Sequence, residues 1–191
     1  MPPHDTLTRR LERHLYGEIL QNLGPITPAH CSSGAATFQL FWAQKAGVKA
    51  LWLKVIPDAP GDPGRAFALT EACARQLATG LRRAADPDLS VGPGSPASGL
   101  LAAAARAVAN VIQGRVIHDL GVVAELRYPR GRVPFSMFLT EAGGKVFVWI
   151  KVNVRNAVVY YRLDRSGAQS LATGLTDALH SDLVPPAEPR S

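Results

Sequence analysis

Two stretches of this sequence match each other without gaps, and they decide the fold. The first is Thr37-Phe-Gln-Leu-Phe-Trp-Ala-Gln-Lys-Ala-Gly-Val-Lys-Ala-Leu-Trp-Leu-Lys-Val55. The second, 97 positions later, is Pro134-Phe-Ser-Met-Phe-Leu-Thr-Glu-Ala-Gly-Gly-Lys-Val-Phe-Val-Trp-Ile-Lys-Val152. Gly47 matches Gly144, and both stretches end in Trp, an aliphatic residue, Lys and Val. The sequence therefore predicts an internal tandem duplication.

A second match follows each stretch in the same order. Leu77-Ala-Thr-Gly-Leu81 is identical to Leu171-Ala-Thr-Gly-Leu175. One such match could arise by chance, but two in the same order support a duplication of the whole unit.

The first stretch reads as two strands, Phe38 to Gln44 and Lys49 to Ile56, around Ala46-Gly47. The second reads as Phe135 to Glu141 and Val146 to Val154 around Gly143-Gly144, a stronger hairpin signal because glycine accepts positive φ.

Helical periodicity precedes each hairpin. Leu7, Leu11, Leu15 and Ile19 share one helical face in the first half, and the Ala-rich segment Leu100 to Ile112 repeats this in the second.

A further strand leads into a C-terminal helix in each half. These strands are Arg65 to Leu69 and Ala157 to Leu163, and we expect Thr70 and Asp164 to cap helices that reach Ala85 and His180. Another strand, Val122 to Tyr128, precedes the second hairpin, and its counterpart Ile26 to Ser32 is interrupted by proline.

These elements predict an α+β fold. Each half would contain a helix, an antiparallel sheet of three to four strands and a C-terminal helix, arranged as a pseudo-twofold intramolecular dimer. The repeats would span 1–86 and 98–183 and form one compact unit, with a Pro- and Gly-rich linker at 87–97 and a disordered tail at 184–191.

The composition of the chain indicates which kinds of partner the protein could bind. Hydrophobic residues make up 47% of the chain, charged residues 19%, and the net charge is +6. Such a charge favours polyanions. No apolar run approaches the roughly 20 residues of a membrane helix, and no signal peptide is evident, so we expect a cytoplasmic, nucleoid-associated protein with no membrane partner.

Strand alternation separates an apolar core face from an aromatic and basic one. Phe135, Met137 and Leu139 face the core. The opposite face and its rim carry the candidate nucleic-acid-binding residues: Phe41, Trp52, Lys54, Arg127, Arg130, Arg132, Phe138, Lys145, Trp149, Lys151, Arg155, Tyr160 and Arg162.

Aromatic rings can stack on the bases of a single strand, and Lys and Arg can neutralise its phosphates. We therefore expect a sequence-tolerant protein that binds single-stranded nucleic acid, DNA favoured over RNA, in repair or nucleoid maintenance. It would be a monomeric pseudo-dimer or a weak homo-oligomer. The same face could instead be buried by a helix, a protein partner or a second copy.

The strand-to-helix segments carry a resemblance. Phe67-Ala-Leu-Thr-Glu-Ala-Cys-Ala-Arg-Gln-Leu77 and Tyr161-Arg-Leu-Asp-Arg-Ser-Gly-Ala-Gln-Ser-Leu171 resemble the Whirly and Pur-alpha group of single-stranded-nucleic-acid binders. This resemblance implies two units in one pseudo-dimer that binds the strand on an exposed sheet face. Size, composition and charge also resemble the DdrD type of bacterial DNA-damage-response protein.

The order helix, strands, helix is also similar to type III secretion chaperone-like domains and the YbjN family. That resemblance implies a module that binds protein segments.

Catalytic patterns are weak in this sequence. Asp119, Glu125 and Lys151 could form a nuclease-like set, and Asp58, Asp62 and Glu71 a metal cluster, but acidic residues are sparse. Two cysteines and five histidines have no zinc-binding spacing, and a disulfide is not expected in the cytosol. We expect no enzyme, no metal site and no cofactor.

Overall fold

The computed structural model describes residues 13–59, 62, 64–89, 114–128, 131–154 and 157–181. The first half of this chain contributes four strands and a helix: β1 (Glu18–Cys31), β2 (Gly34–Lys45), β3 (Val48–Pro57), β4 (Arg65–Leu69) and α1 (Glu71–Ala85). The second half contributes β5 (Arg115–Tyr128), β6 (Gly131–Ala142), β7 (Lys145–Val154), β8 (Ala157–Asp164) and α2 (Arg165–Leu179). Residues 13–16 are helical, and Pro87–Leu89 form a 3-10 turn.

All eight strands belong to one antiparallel sheet in the order β4-β3-β2-β1-β8-β7-β6-β5. Within each half, neighbours in sequence are neighbours in the sheet. The halves are joined where β1 meets β8, through a single residue pair, His30 with Arg162. We call this junction the seam.

The predicted fold class is wrong. The sequence suggested two separate sheets of three to four strands arranged as a pseudo-twofold dimer, whereas the structure has one continuous eight-stranded sheet. The physical reason lies in the first strand of each half. β1 and β5 are 14 residues long, and the end of β1 reaches the edge of β8, so backbone pairing continues from one half into the other.

Bulges make these long strands possible. The pairing of β1 with β2 shifts register at three places, and that of β5 with β6 shifts at the positions 97 residues later. Gly24 and Gly121 have φ angles of +76° and +65°, which favour glycine. Beside them, Asn22 and Asp119 each accept a hydrogen bond from the glycine N–H through Oδ1 at 2.9 Å. The duplication therefore includes the first strand, with its irregularities.

Part of the predicted helical pattern is also wrong. Ile19 belongs to β1 rather than to a helix, and only Leu15 of that pattern lies in the helical segment at 13–16. Leu7, Leu11, Leu100 to Ile112, most of the linker and the tail at 184–191 lie outside the described residues. The prolines of β1 are tolerated because β1 pairs along its length with β2 alone and meets β8 at one residue pair.

The hairpins and their core face are confirmed. Ala46-Gly47 and Gly143-Gly144 all have positive φ and form the two turns. The predicted inward residues Phe135, Met137 and Leu139 are buried, and so are further residues on the same face of the two hairpins: Phe38, Leu40, Trp42, Leu51, Leu53, Val55, Val148, Ile150 and Val152. This inner face of the sheet is covered by α1 and α2, which also pack against each other.

The two helices cross between the halves. α1 belongs to the first half but packs on β5 and β6, while α2 belongs to the second half and packs on β1 and β2 as well as on its own strands. Gly80 of α1 lies against Val123, and Gly174 of α2 lies against Ile26. These are the glycines of the repeated Leu-Ala-Thr-Gly-Leu segment. Its smallest residue therefore marks the contact of each helix with the other half.

Both predicted N-caps are confirmed. Thr70 accepts a hydrogen bond from Cys73 N–H, and Asp164 accepts one from Gly167 N–H. We expect Thr70→Ala and Asp164→Ala each to lower the free energy of unfolding by about 1 kcal/mol, the usual contribution of a cap. Urea unfolding measures this. Ser170→Ala, at an exposed position inside α2, is the control, and equal losses in all three variants would contradict the prediction.

Candidate nucleic acid interface

The candidate interface is the sheet face opposite α1 and α2, which we call the outer face. Its side chains include Gln39, Phe41, Trp52, Lys54, Ser136, Phe138, Phe147, Trp149, Lys151, Tyr160 and Arg162. Strand pairing places Phe41 opposite Trp52 and Phe138 opposite Trp149. Because the sequence repeat is also a structural repeat here, the two halves present the same central pair.

These pairs are parallel stacks. The Phe41 and Trp52 ring centroids lie 6.2 Å apart with an interplanar angle of 3°, and those of Phe138 and Trp149 lie 5.9 Å apart with the same angle. Gln39 opposite Lys54 and Ser136 opposite Lys151 form the next row of each half. Each stack therefore has a lysine beside its tryptophan.

The surroundings of the two stacks differ. Sheet pairing places Ala66, Ala68 and Ala50 in the first half where Tyr160, Arg162 and Phe147 stand in the second. The Tyr16 ring packs edge-on against Phe41 and Trp52 at 5.3 and 4.9 Å. A covering tyrosine from outside the sheet thus replaces the larger sheet residues of the second half.

Trp149 is held by several groups at once. Its indole N–H donates to the Thr140 hydroxyl at 2.9 Å, and Thr140 is fully buried. The Arg162 guanidinium lies 4.8 Å from the Phe147 ring centroid and 5.9 Å from that of Trp149. Trp149 is therefore a packed and hydrogen-bonded residue.

Burial divides the predicted site residues into two groups. Phe41, Phe138 and Trp149 are 3%, 5% and 3% exposed, so they form the floor of the face and a base cannot stack on them directly. Trp52, Lys54, Phe147, Lys151, Tyr160 and Arg162 are half-buried. These are the outer-face groups that a ligand could touch.

Two of the predicted arginines at the rim of the outer face, Arg127 and Arg132, form ion pairs with Glu125. The Glu125 carboxylate lies 3.1 Å from Arg127 and 3.7 Å from Arg132. Such exposed pairs contribute little stability, and their arginines can exchange to a phosphate. Lys145 is exposed at the β6–β7 turn. Arg130 and Arg155 lie outside the described residues.

Sequence reasoning missed Tyr16. The strand pattern gives Tyr16 no role, because this residue lies at the end of the helical residues 13–16 and outside the hairpins. A signal was present, since Gly17 and Gly114 are 97 positions apart and both have positive φ, +87° and +101°. An added Cβ at either glycine would lie within 2.4 Å of a backbone carbonyl oxygen of β2 or β6. The repeat thus already begins at the turn that places Tyr16 over the sheet.

The candidate catalytic carboxylates have other partners. Asp119 accepts from Gly121 N–H, Glu125 is paired with Arg127 and Arg132, and Asp62 accepts from Gly64 N–H. Among the described residues, no group of three His, Cys, Asp or Glu side chains could hold a metal ion.

The two cysteines are unpaired thiols, Cys73 buried and Cys31 half-buried. Burial raises the pKa of the Cys73 thiol to about 12, so it stays protonated and unreactive at neutral pH.

No protein-family model matches this chain, and no curated protein matches it. In the part of the chain that the structure describes, neither helix is long and apolar enough to cross a membrane.

Proposed function

We propose that this protein binds single-stranded nucleic acid, DNA in preference to RNA, along the outer face of its sheet. The observation that carries the proposal is the set of half-buried rings and cations on the outer face, which lies beside the Phe–Trp stack repeated in each half. A surface that alternates rings and cations suits a strand whose bases stack while its phosphates meet positive charge.

The ligand-contacting groups are the half-exposed ones. Trp52, Phe147 and Tyr160 offer ring surface, and Lys54, Lys151 and Arg162 offer charge. The buried rings beneath them stiffen the face, since Phe138 touches both Trp149 and Tyr160. Preorganised rings lose little side-chain entropy on binding.

The two halves contribute unequally. The second half has Phe147, Tyr160 and Arg162 on the face, whereas the first half has alanines in those positions and Tyr16 over its stack. We therefore expect the second half to provide most of the affinity.

The order of elements supports the resemblance to the Whirly and Pur-alpha group. Each half has four antiparallel strands followed by a helix in the described residues. A role in repair or nucleoid maintenance in the cytoplasm, as for DdrD-type proteins, is part of the proposal and follows from the ligand.

We expect the double variant Lys54→Gln/Lys151→Gln to bind a labelled single-stranded oligonucleotide more weakly and with less salt dependence. Each lost phosphate contact should reduce the slope of log K against log salt by about 0.7. Fluorescence anisotropy at several salt concentrations measures both quantities. Lys151→Gln alone should lose more affinity than Lys54→Gln alone.

The matched control is Arg75→Gln/Arg83→Gln, which removes the same charge from the exposed side of α1. If both double variants weaken binding equally, the protein attracts the strand by diffuse charge rather than at the outer face. If the unmodified protein fails to bind at low salt, the proposal is wrong.

A second candidate function is a protein-binding or chaperone-like module. The burial of Phe41, Phe138 and Trp149 favours it, because Tyr16 shows that protein groups cover this face. A stable complex with a second copy or a protein segment that protects Trp52, together with no affinity for nucleic acid, would support this candidate.

A further inference from the structure

The seam contains a cavity that the outer face does not explain. Its volume is about 300 Å³, and it lies where β1 and β8 diverge beyond the pair His30–Arg162. The lining residues are Cys31, Ser32, Ser33, Val55, Pro57, Asp62, Gly64, Arg65, Val159, Tyr160 and Tyr161. We call it the seam cavity. Small-molecule sites begin at about this volume.

One wall of the seam cavity is a chain of hydrogen bonds. The Cys31 thiol and the Ser33 hydroxyl are 3.1 Å apart, and Ser33 donates to Asp62 Oδ2 at 3.1 Å. The other carboxylate oxygen, Oδ1, accepts from Gly64 N–H at 2.9 Å. These bonds fix the Asp62 carboxylate, whose oxygens can each accept one more hydrogen bond.

Tyr161 is the group that points to a ligand. The residue is 4% exposed, and it lines the cavity together with Cys31, Asp62 and Arg65. Burial raises the pKa of its phenol, Arg65 lowers it, and Cys31 and Asp62 raise it. The hydroxyl can donate one hydrogen bond, and a ligand in the cavity could accept it.

The cavity lining contains one positive and one negative side chain. Arg65 contributes hydrogen-bond donors and Asp62 contributes acceptors. Because the two formal charges offset each other, an anionic ligand would gain little electrostatic energy. Val55 and Val159 provide apolar walls. A flat, neutral molecule with donors and acceptors on one edge matches this combination.

We propose that the seam cavity binds a single nucleobase, either in a free nucleoside or as one unstacked base of a strand. The Tyr161 hydroxyl donates to a ring nitrogen or carbonyl of the base, Arg65 donates to a carbonyl, and Asp62 accepts from an amino or imino group. The apolar walls cover the faces of the base.

Tyr160 connects this site to the proposed interface. It lines the seam cavity and also contacts the Phe138 ring on the outer face, with centroids 6.4 Å apart. A strand on the outer face would pass the mouth of the cavity and could place one base in it. This source of the base rests on the proposed function, whereas binding of a free nucleoside does not.

Titration of the whole protein with the four deoxynucleosides, followed by NMR chemical shifts or calorimetry, tests the proposal. We expect at least one nucleoside to bind, and Tyr161→Phe to weaken it about three- to tenfold, the effect of one neutral hydrogen bond. Arg65→Met should weaken it similarly. Thr79→Ser, on the exposed side of α1, is the control and should leave nucleoside binding unchanged.

Thermal unfolding separates binding from a structural role. Tyr161→Phe keeps the buried ring and removes only the hydroxyl, so its unfolding temperature should stay close to that of the unmodified protein. No nucleoside binding at millimolar concentration, or unchanged binding in both Tyr161→Phe and Arg65→Met, would overturn the proposal.

A second experiment measures the binding of single-stranded oligonucleotides. If the protein binds a strand but no nucleoside, the cavity proposal fails while the outer-face proposal stands. If it binds nucleosides but no strand, the cavity proposal stands and the proposed function fails. The last comparison uses a strand in which one base has been removed. If the unmodified protein binds this abasic strand as weakly as Tyr161→Phe binds the intact strand, the strand is a source of the base.

Discussion

Replacing Trp149 with alanine is expected to lower the free energy of unfolding by about 3–5 kcal/mol, the range for a buried large aromatic residue. The indole is 3% exposed, stacks on Phe138 and donates to Thr140. The variant loses the buried ring and the hydrogen bond from the indole N–H to the Thr140 hydroxyl. Urea unfolding followed by circular dichroism measures the loss.

The matched control is Trp52→Ala, at the equivalent position of the first half. Trp52 is half-buried, and its strand neighbour Ala43 replaces Thr140 of the second half. We expect roughly half the loss, because less ring surface returns to water. Equal losses at the two tryptophans would show that the halves are energetically equivalent and would contradict the asymmetry described for the outer face.

Replacing Gly80 with leucine is expected to destabilise the protein by about 1–2 kcal/mol, although leucine favours helix. A Cβ at Gly80 would lie 2.8 Å from Val123 Cβ, and a branched valine on a strand cannot move aside. Overpacking of this kind usually costs about 1–3 kcal/mol. Because helix propensity contributes about 1 kcal/mol in the other direction, the contact itself is worth more than the measured loss.

Gly174→Ala is the control at the equivalent glycine of α2. Its Cβ would lie 3.2 Å from Ile26 Cγ2, compared with 2.8 Å from Val123 Cβ at Gly80, so the strain is smaller and the gain in helix propensity offsets it. We expect a stability change within about 1 kcal/mol. The prediction for α1 is wrong if Gly80→Leu unfolds at the same urea concentration as the unmodified protein.

The local elements were predictable because their signals are local. Alternation defined the hairpin faces, glycines marked the second turn, and Thr70 and Asp164 stood one residue before their helices. The single sheet was not predictable, because its cause is one residue pair, His30 with Arg162, between strands more than 120 residues apart. Periodicity within a strand carries no information about which other strand lies at its edge.

The sequence predicted which residues lie on the outer face, but it did not predict how exposed their side chains are. Alternation placed Phe41, Phe138 and Trp149 on the outer face, and they lie there. Their burial depends on groups from other elements, such as Tyr16 over Phe41 and Tyr160 against Phe138. The alternation within a strand predicts the face to which a ring points. The exposure of that ring depends on side chains from other elements that cover it.

The crossing of the helices has a consequence during synthesis of the chain. β5 begins 30 residues after α1 ends, so α1 leaves the ribosome before its packing partner exists. The apolar side of α1, including Leu77 and Leu81, stays uncovered for several seconds at about 5–20 residues per second. α2 must then find β1, which was made first. The nascent first half therefore exposes apolar surface that chaperones can bind, and the packing of α2 on β1 forms only after the last helix has been made.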